Sequence, residues 1–221
     1  MNELNFGVIW EYRAIFLHGA MITAWLTLTS AAIGAVLGPL VGLLRSSRIR
    51  IVSLAAGAYV EAFRATPTLV QLVWIYYALP VITGIQLDAF TSVMLALGMH
   101  EGAYVGEIFR AGINSLDKGQ TYAAQALGMS YWQRMRRIIL PQVVKRMIPP
   151  LINEFASLMK LTSLASVLAI PELLHTGNDV ISTTFRPMEI YTAIGAAYAM
   201  LVLPIIYLAH HIDRAWGRKA A

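Results

Sequence analysis

From Ala14 to Leu44 the chain runs 31 residues without an Asp, Glu, Lys or Arg. A bilayer core about 30 Å thick takes roughly 20 helical residues, so this run is long enough to cross it with residues to spare. It is too long for the core of a signal peptide, and Glu3 and Glu11 precede it rather than a basic cluster. It reads as a retained span. Uncharged runs of 23 residues follow at 65–87 and 190–212. The helix through the second run is predicted to start near Ile51. That places Glu61 and Arg64 inside it at i,i+3, where they are expected to pair, and puts a kink at Pro67.

Composition supports a membrane class. Hydrophobic residues make up 57 % of the 221, charged residues 13 %, and the mean hydropathy is +0.61. So few charges cannot coat a soluble globule, which typically carries about a quarter. With no cysteine, disulfides, thiolate nucleophiles and Cys-bound zinc are excluded.

Two weaker apolar stretches remain, about 88–112 with Glu101, Glu107 and Arg110, and about 143–170 with Glu154 and Lys160. Charge placement argues for counting both as spans that face protein. With five spans, 13 of the 17 Lys and Arg fall on one side: Arg45, Arg48 and Arg50, seven from Arg110 to Arg146, and Arg214, Arg218 and Lys219. Four spans would split these loops between the two sides. The positive-inside rule then sets the N-terminus outside and the C-terminus inside. The expected fold class is an all-α membrane protein of one domain over residues 1–221. Its spans lie at about 14–44, 52–79, 88–112, 143–170 and 190–212, with a cytoplasmic loop at about 113–141.

In that loop Gly119 is placed to break a helix, Thr121 to Leu127 has helix composition, and Gly128 sits like a C′ residue. Ser130 is predicted to cap a second helix that runs to Leu140, and Pro141 permits a bend. Ala123, Ala124 and Leu127 are expected on an exposed face that wants a partner. A solvated interfacial helix holding lipid headgroups is the alternative.

The pattern Gly119-Gln120, Ala123-Ala124, Leu127-Gly128 and Ile139-Leu140-Pro141 resembles the EAA loop of binding-protein-dependent ABC importer permeases. The resemblance extends along the chain. Phe63-Arg64-Ala65-Thr66-Pro67 with Gln71, Ala103-Tyr104-Val105-Gly106-Glu107-Ile108-Phe109-Arg110-Ala111-Gly112, and Lys160-Leu161-Thr162-Ser163-Leu164 are similar, in order, to segments of the polar amino acid subfamily. Tyr122 replaces the Glu that names the loop motif, Ala65 a usual Gly, and Leu161 a usual Asp. The resemblance implies a type I importer-like fold and a non-catalytic permease subunit whose 113–141 loop is a coupling helix for a cytoplasmic ABC ATPase dimer. It also implies an extracytoplasmic solute-binding protein and a second permease chain, identical or sister, in a bacterial inner membrane. The chain has no Gly-x-x-x-x-Gly-Lys-[Ser/Thr] phosphate loop, so it is expected to bind no cofactor itself. ATP and magnesium would be used by the partner.

Ionisable groups at membrane depth are costly and are usually functional or paired. Glu154 lies near mid-depth of its span, with Ser157 on the same face, and an acid there suits an amino acid's ammonium or basic side chain. His100, Glu101 and Tyr104 form a second candidate group, and Arg64 is a candidate for a substrate carboxylate. Each has a plainer alternative: pairing of Glu154 and Glu101 with neighbouring cations, a backbone hydrogen bond for His100, and the Glu61 pair for Arg64. Glu107 and Arg110 read as a structural pair. His210 and His211 read as a solvated pair, not a metal site. No catalytic motif is present. A secondary transporter or an intramembrane enzyme working without an ATPase remains the competing reading. Nucleic-acid binding is excluded, because the basic residues follow one membrane face.

Overall fold

The computed structural model describes residues 4–217. Arg218 and Lys219, which entered the charge count, and Glu3, which precedes the first run, lie outside the described residues, as does the side chain of Lys118. The described residues form helices and turns, with no strand among them.

A short α1 (Gly7–Glu11) leads into α2 (Arg13–Arg45), which covers the 14–44 run. The second apolar region does not kink; it breaks. Helix α3 (Arg50–Ala65) ends at Thr66-Pro67, and the chain restarts as α4 (Thr68–Val73) and α5 (Leu79–Thr83) at 109° to α3. Thr66 is extended (ψ 145°) because the proline ring disfavours helical backbone in the residue before it.

Asp88 caps α6 (Ala89–Asn114), accepting hydrogen bonds from the Thr91 amide and hydroxyl at 3.0 and 2.6 Å. Then come α7 (Lys118–Ala126), α8 (Tyr131–Arg134), α9 (Leu140–Leu161), α10 (Leu173–Thr184) and α11 (Pro187–Gly217). π-turns at Trp74–Ala78 and Met135–Ile139 each end two residues before a proline, Pro80 and Pro141. The wider turn absorbs the missing N–H and the clash with the carbonyl four residues back. Helix α9 ends earlier than its predicted span, passing into a 3-10 segment at Thr162–Leu168.

Among the described residues, three helical stretches are long and apolar enough to cross a bilayer: Arg13–Arg45, Tyr131–Leu168 and Pro187–Arg214. The bent α3–α5 stretch is a fourth if counted as one span.

The central packing is α2 against α6. Gly34, Gly38 and Gly42 on α2 face Glu101, Val105 and Phe109 on α6, and Gly98, Gly102 and Gly106 on α6 face Ile33, Leu37 and Val41 on α2. A Cβ added at Gly102 would lie 2.8 Å from Leu37 Cβ, and one at Gly98 2.7 Å from Ile33 Cβ. The two backbones therefore meet glycine to side chain in both directions, as small residues at four-residue spacing permit. Leu26, Leu72, Val93, Leu97 and Leu158 are fully buried beside this seam.

A second joint was not foreseen from the sequence. Fully buried Glu172 caps α10 by accepting the Leu174 and His175 amides at 2.9 and 2.8 Å, and accepts the Tyr198 hydroxyl of α11 at 2.8 Å. The Leu173 amide donates to Thr23 Oγ1 of α2 at 3.2 Å. The cap thus fastens α2, α10 and α11 together.

A methyl in the seam and one in open space should behave oppositely. Gly102→Ala is expected to destabilise by about 1–3 kcal/mol through overpacking. Gly57→Ala, where a Cβ would meet nothing within 4 Å, should be neutral or stabilising by up to about 1 kcal/mol. Thermal unfolding of the purified chain in detergent, followed by tryptophan fluorescence, distinguishes the two.

Candidate functional site

Two charged groupings lie along α6. At the end near Asn114, Arg45 from the last turn of α2 reaches two carboxylates. Its Nη1 is 2.6 Å from Glu107 and its Nη2 3.2 Å from Glu61. Glu107 also takes Arg110, whose Nε lies 3.0 Å from both carboxylate oxygens. The expected Glu107–Arg110 pair is present. The expected Glu61–Arg64 pair is not: the end of α2 delivers Arg45 between α3 and α6, and it takes Glu61 instead.

Arg64 is turned elsewhere. Its guanidinium carbon sits 5.6 Å from the centre of the Tyr104 ring, and Tyr104 stacks on His100 at 4.6 Å and 30°. Within the same region, Glu154 interacts electrostatically with Arg64, with Lys160 and with Glu101. The predicted Arg64, His100, Glu101, Tyr104 and Glu154 are therefore gathered from α3, α6 and α9. Ser157 lies one turn beyond Glu154, half-buried. Among the described residues no backbone carbonyl bonds the His100 ring; its Nδ1 is 3.3 Å from Gln71 Oε1.

Glu101 is the exceptional member. It is 3 % exposed, it rests on Gly34, and its Oε2 has no hydrogen-bond partner among the described residues. It lines a cavity of about 310 Å³ together with Ala31, Ala35, Val105, Leu151 and Phe155. An unpaired buried carboxylate costs several kcal/mol unless a cation or proton joins it. The larger cavity, about 580 Å³, lies under the α3–α4 break among Phe63, Val70, Trp74 and Met99, and carries none of the six predicted residues. An apolar volume of that kind suits hydrocarbon, not a charged solute.

The 113–141 connection folds much as its sequence suggests, with two corrections. Gly119 does not break the helix; it lies in the first turn of α7, where Asp117 accepts its amide at 2.8 Å. Ala124 is buried, while Ala123, Leu127 and Gly128 are exposed with Tyr122. Gly128 is left-handed (φ 74°) and its amide donates to the Gln125 carbonyl at 2.9 Å, which closes the helix. Ser130 and Gln133 form a capping box that starts α8. Gln142 of α9 donates to the Gln120 side chain at 2.9 Å, tying α7 to the turn that carries Leu140 and Pro141.

The profile of a family described as the inner membrane component of binding-protein-dependent transport systems matches residues 32–218. The chain belongs to this family. The glutamine transport system permease protein GlnP of Escherichia coli K12 is 33 % identical over 213 residues, 96 % of this chain and 97 % of the relative. The arginine transport system permease protein ArtQ of Bacillus subtilis is 34 % identical over 212 residues, with the same two coverages. A crystal structure of an amino acid ABC transporter with histidines superposes at TM-score 0.90 with 35 % identity, over 97 % of this chain and all of that one. An inward-facing MetNI methionine ABC transporter matches at TM-score 0.73 and 20 % identity, covering 97 % of this chain and 99 % of that one, and shares the fold. The chain is a membrane-embedded permease component of an ABC importer, and such a component is not itself catalytic.

The ion pairs along α6 predict unequal costs. Arg45→Ala leaves the largely buried Glu107 short of one partner and should lower thermal stability by about 1–3 kcal/mol. Glu61→Ala removes a largely exposed partner and should cost under about 1 kcal/mol. Unfolding midpoints of the two variants side by side check the order.

Proposed function

We propose that this permease carries a polar amino acid, with a cationic one favoured, and that Glu101 and Glu154 hold its positive charge while His100, Tyr104 and Ser157 line the same chamber. The observation that carries the reading is Glu101: a buried carboxylate with an orphan oxygen, close enough to Glu154 for the two to repel. Two acids sharing one apolar region are relieved by a cation between them. Arg64 and Lys160 offset part of that charge from the rim, and Arg64 is positioned to take the solute's carboxylate. The names of the relatives fit the class, covering glutamine, arginine and, for a further permease 36 % identical over 201 residues, octopine.

In this reading α6 is a fifth crossing: at 26 residues it is about 39 Å long, enough to span, and its charged side chains face α2, α3 and α9. The N-terminus lies outside and the C-terminus inside, so that the basic 113–141 connection is cytoplasmic. The single domain pairs with an identical or sister permease chain. Its α7 and the residue that caps it, exposing Tyr122, Ala123 and Leu127, dock on a cytoplasmic ABC ATPase dimer that hydrolyses ATP with magnesium, while an extracytoplasmic binding protein delivers the solute. The home of the assembly is a bacterial inner membrane.

Uptake into proteoliposomes tests the chamber. Glu101→Gln and Glu154→Gln are each expected to raise KM for a cationic amino acid about tenfold or more, with smaller effects on a neutral one. An equal loss for both solutes removes the two acids as the cation site. Coupling is tested at Gly128. A β-branched side chain at φ 74° is strained by about 1–2 kcal/mol, so Gly128→Val should tilt α7 against α8. Uptake and solute-stimulated ATP hydrolysis should fall together while membrane insertion stays normal. Normal transport by this variant would contradict the docking role of α7.

A further inference from the structure

The broken span is latched by one side chain. Gln71, in α4, reaches back over the break, and its Nε2 lies 2.7 Å from the Phe63 carbonyl, 3.0 Å from the Thr66 carbonyl and 2.8 Å from Thr66 Oγ1. Carbonyl oxygens only accept, so the amide nitrogen must be the group that faces them. That leaves Gln71 Oε1 facing His100 Nδ1 at 3.3 Å. Being a carbonyl oxygen, it too can only accept, so a hydrogen bond between the two puts the proton on Nδ1. The partner of one ring nitrogen decides the state of the other. A neutral His100 is therefore left with Nε2 as a lone-pair acceptor. Thr68 Oγ1, 3.5 Å from the same Nδ1, adds a weak second contact. The ring cannot swing away freely, because it is 4 % exposed and stacked on Tyr104.

We infer that Gln71 is a positioning residue with two linked tasks: it holds the sharp bend between α3 and α4, and it fixes His100, stacked on Tyr104, as the Nδ1–H tautomer, so that Nε2 is left as the ring's acceptor. The two tasks share one amide plane. A change in the bend that withdraws Phe63 and Thr66 frees the amide to rotate, and the proton on His100 is then no longer dictated. Bend and chamber thus report on each other through one hydrogen-bond relay. That Nε2 receives a donor from the solute rests on the function proposed above; the tautomer and the bend do not.

The experiment uses the full-length permease complex in lipid nanodiscs. Histidine is ¹⁵N-labelled, and the His100 resonances are assigned by their loss in a His100→Asn sample. Spectra are recorded at a pH where the ring is neutral. In parallel, spin labels on Leu54→Cys and Val81→Cys, unambiguous in a chain without cysteine, give the distance distribution across the break. Wild type is expected to show protonated Nδ1 and unprotonated Nε2 with a single narrow distance. Gln71→Glu keeps an acceptor for His100 but cannot donate to the carbonyls, so it should retain the tautomer and broaden the distance. Gln71→Ala should lose both, shifting His100 toward the Nε2–H form. The inference is overturned by an Nε2–H ring in wild type, by an unchanged distance distribution in Gln71→Glu, or by a Gln71→Ala protein in which either readout is unchanged. Should Gln71→Ala fail to assemble, wild type and Gln71→Glu decide the matter.

Discussion

Everything in this molecule depends on how closely α2 and α6 approach. Between membrane helices there is little hydrophobic driving force, because lipid is as apolar as the side chains, so association rests on packing and polar contacts. Here two sets of glycines at four-residue spacing let each helix receive the other's side chains. The seam does more than pack. Glu101 is one of the side chains that lie on a glycine of α2, so the contact that joins the helices also buries the acid. A larger residue at Gly34 would collide with Glu101. The structural seam and the candidate chamber are therefore one arrangement seen from two sides.

The other elements extend this centre. Arg45 continues α2 to the point where it meets Glu107 of α6 and Glu61 of α3, joining three helices through charges that pair with one another. The break at Thr66-Pro67 redirects the chain by 109°, and the Gln71 amide closes over the backbone groups the break leaves unpaired. Those groups would be costly if left exposed to hydrocarbon. Farther along, Glu172 performs the same service for the start of α10. Polar groups in this apolar chain are thus concentrated where helices end, bend or cross; among the described residues only the side-chain atoms Glu101 Oε2 and Arg134 Nε are buried without a hydrogen-bond partner.

Much of the fold was legible in the sequence because long uncharged runs and one-sided basic loops are one-dimensional signals. The α7–α8 turn was legible for another reason: Gly128 and Ser130 are local chemistry, and a left-handed residue and a cap need only their neighbours. Pairing was harder to read. Glu61 has Arg64 at i,i+3, yet the deciding neighbour is Arg45, sixteen positions away, delivered by the packing of α2. The break at Pro67 was expected only as a kink; the Gln71 side chain that bonds Phe63 and Thr66 across it is a contact that helical periodicity does not signal. Helix α10 went unseen although its buried positions, Leu173, Thr176, Gly177 and Val180, keep helical spacing, because two of the four are not apolar and the stripe does not stand out in the sequence. The glycine spacing on α2 and α6 was a signal present in the sequence that would have identified the central contact. Of the candidate chamber, the residue types were readable from the cost of charge at membrane depth. Their convergence was not, because it joins three helices distant in sequence.

The central claim is that the α2–α6 seam buries Glu101 so that it and Glu154 together receive a positive charge. The most direct measurement is a density map of the assembled transporter in lipid nanodiscs with saturating arginine. The account predicts a ligand between α6 and α9, with a nitrogen within hydrogen-bond distance of the Glu101 and Glu154 carboxylates and its carboxylate turned toward Arg64. A ligand seated under the α3–α4 break, or density that leaves Glu101 and Glu154 facing each other without a cation, would contradict it.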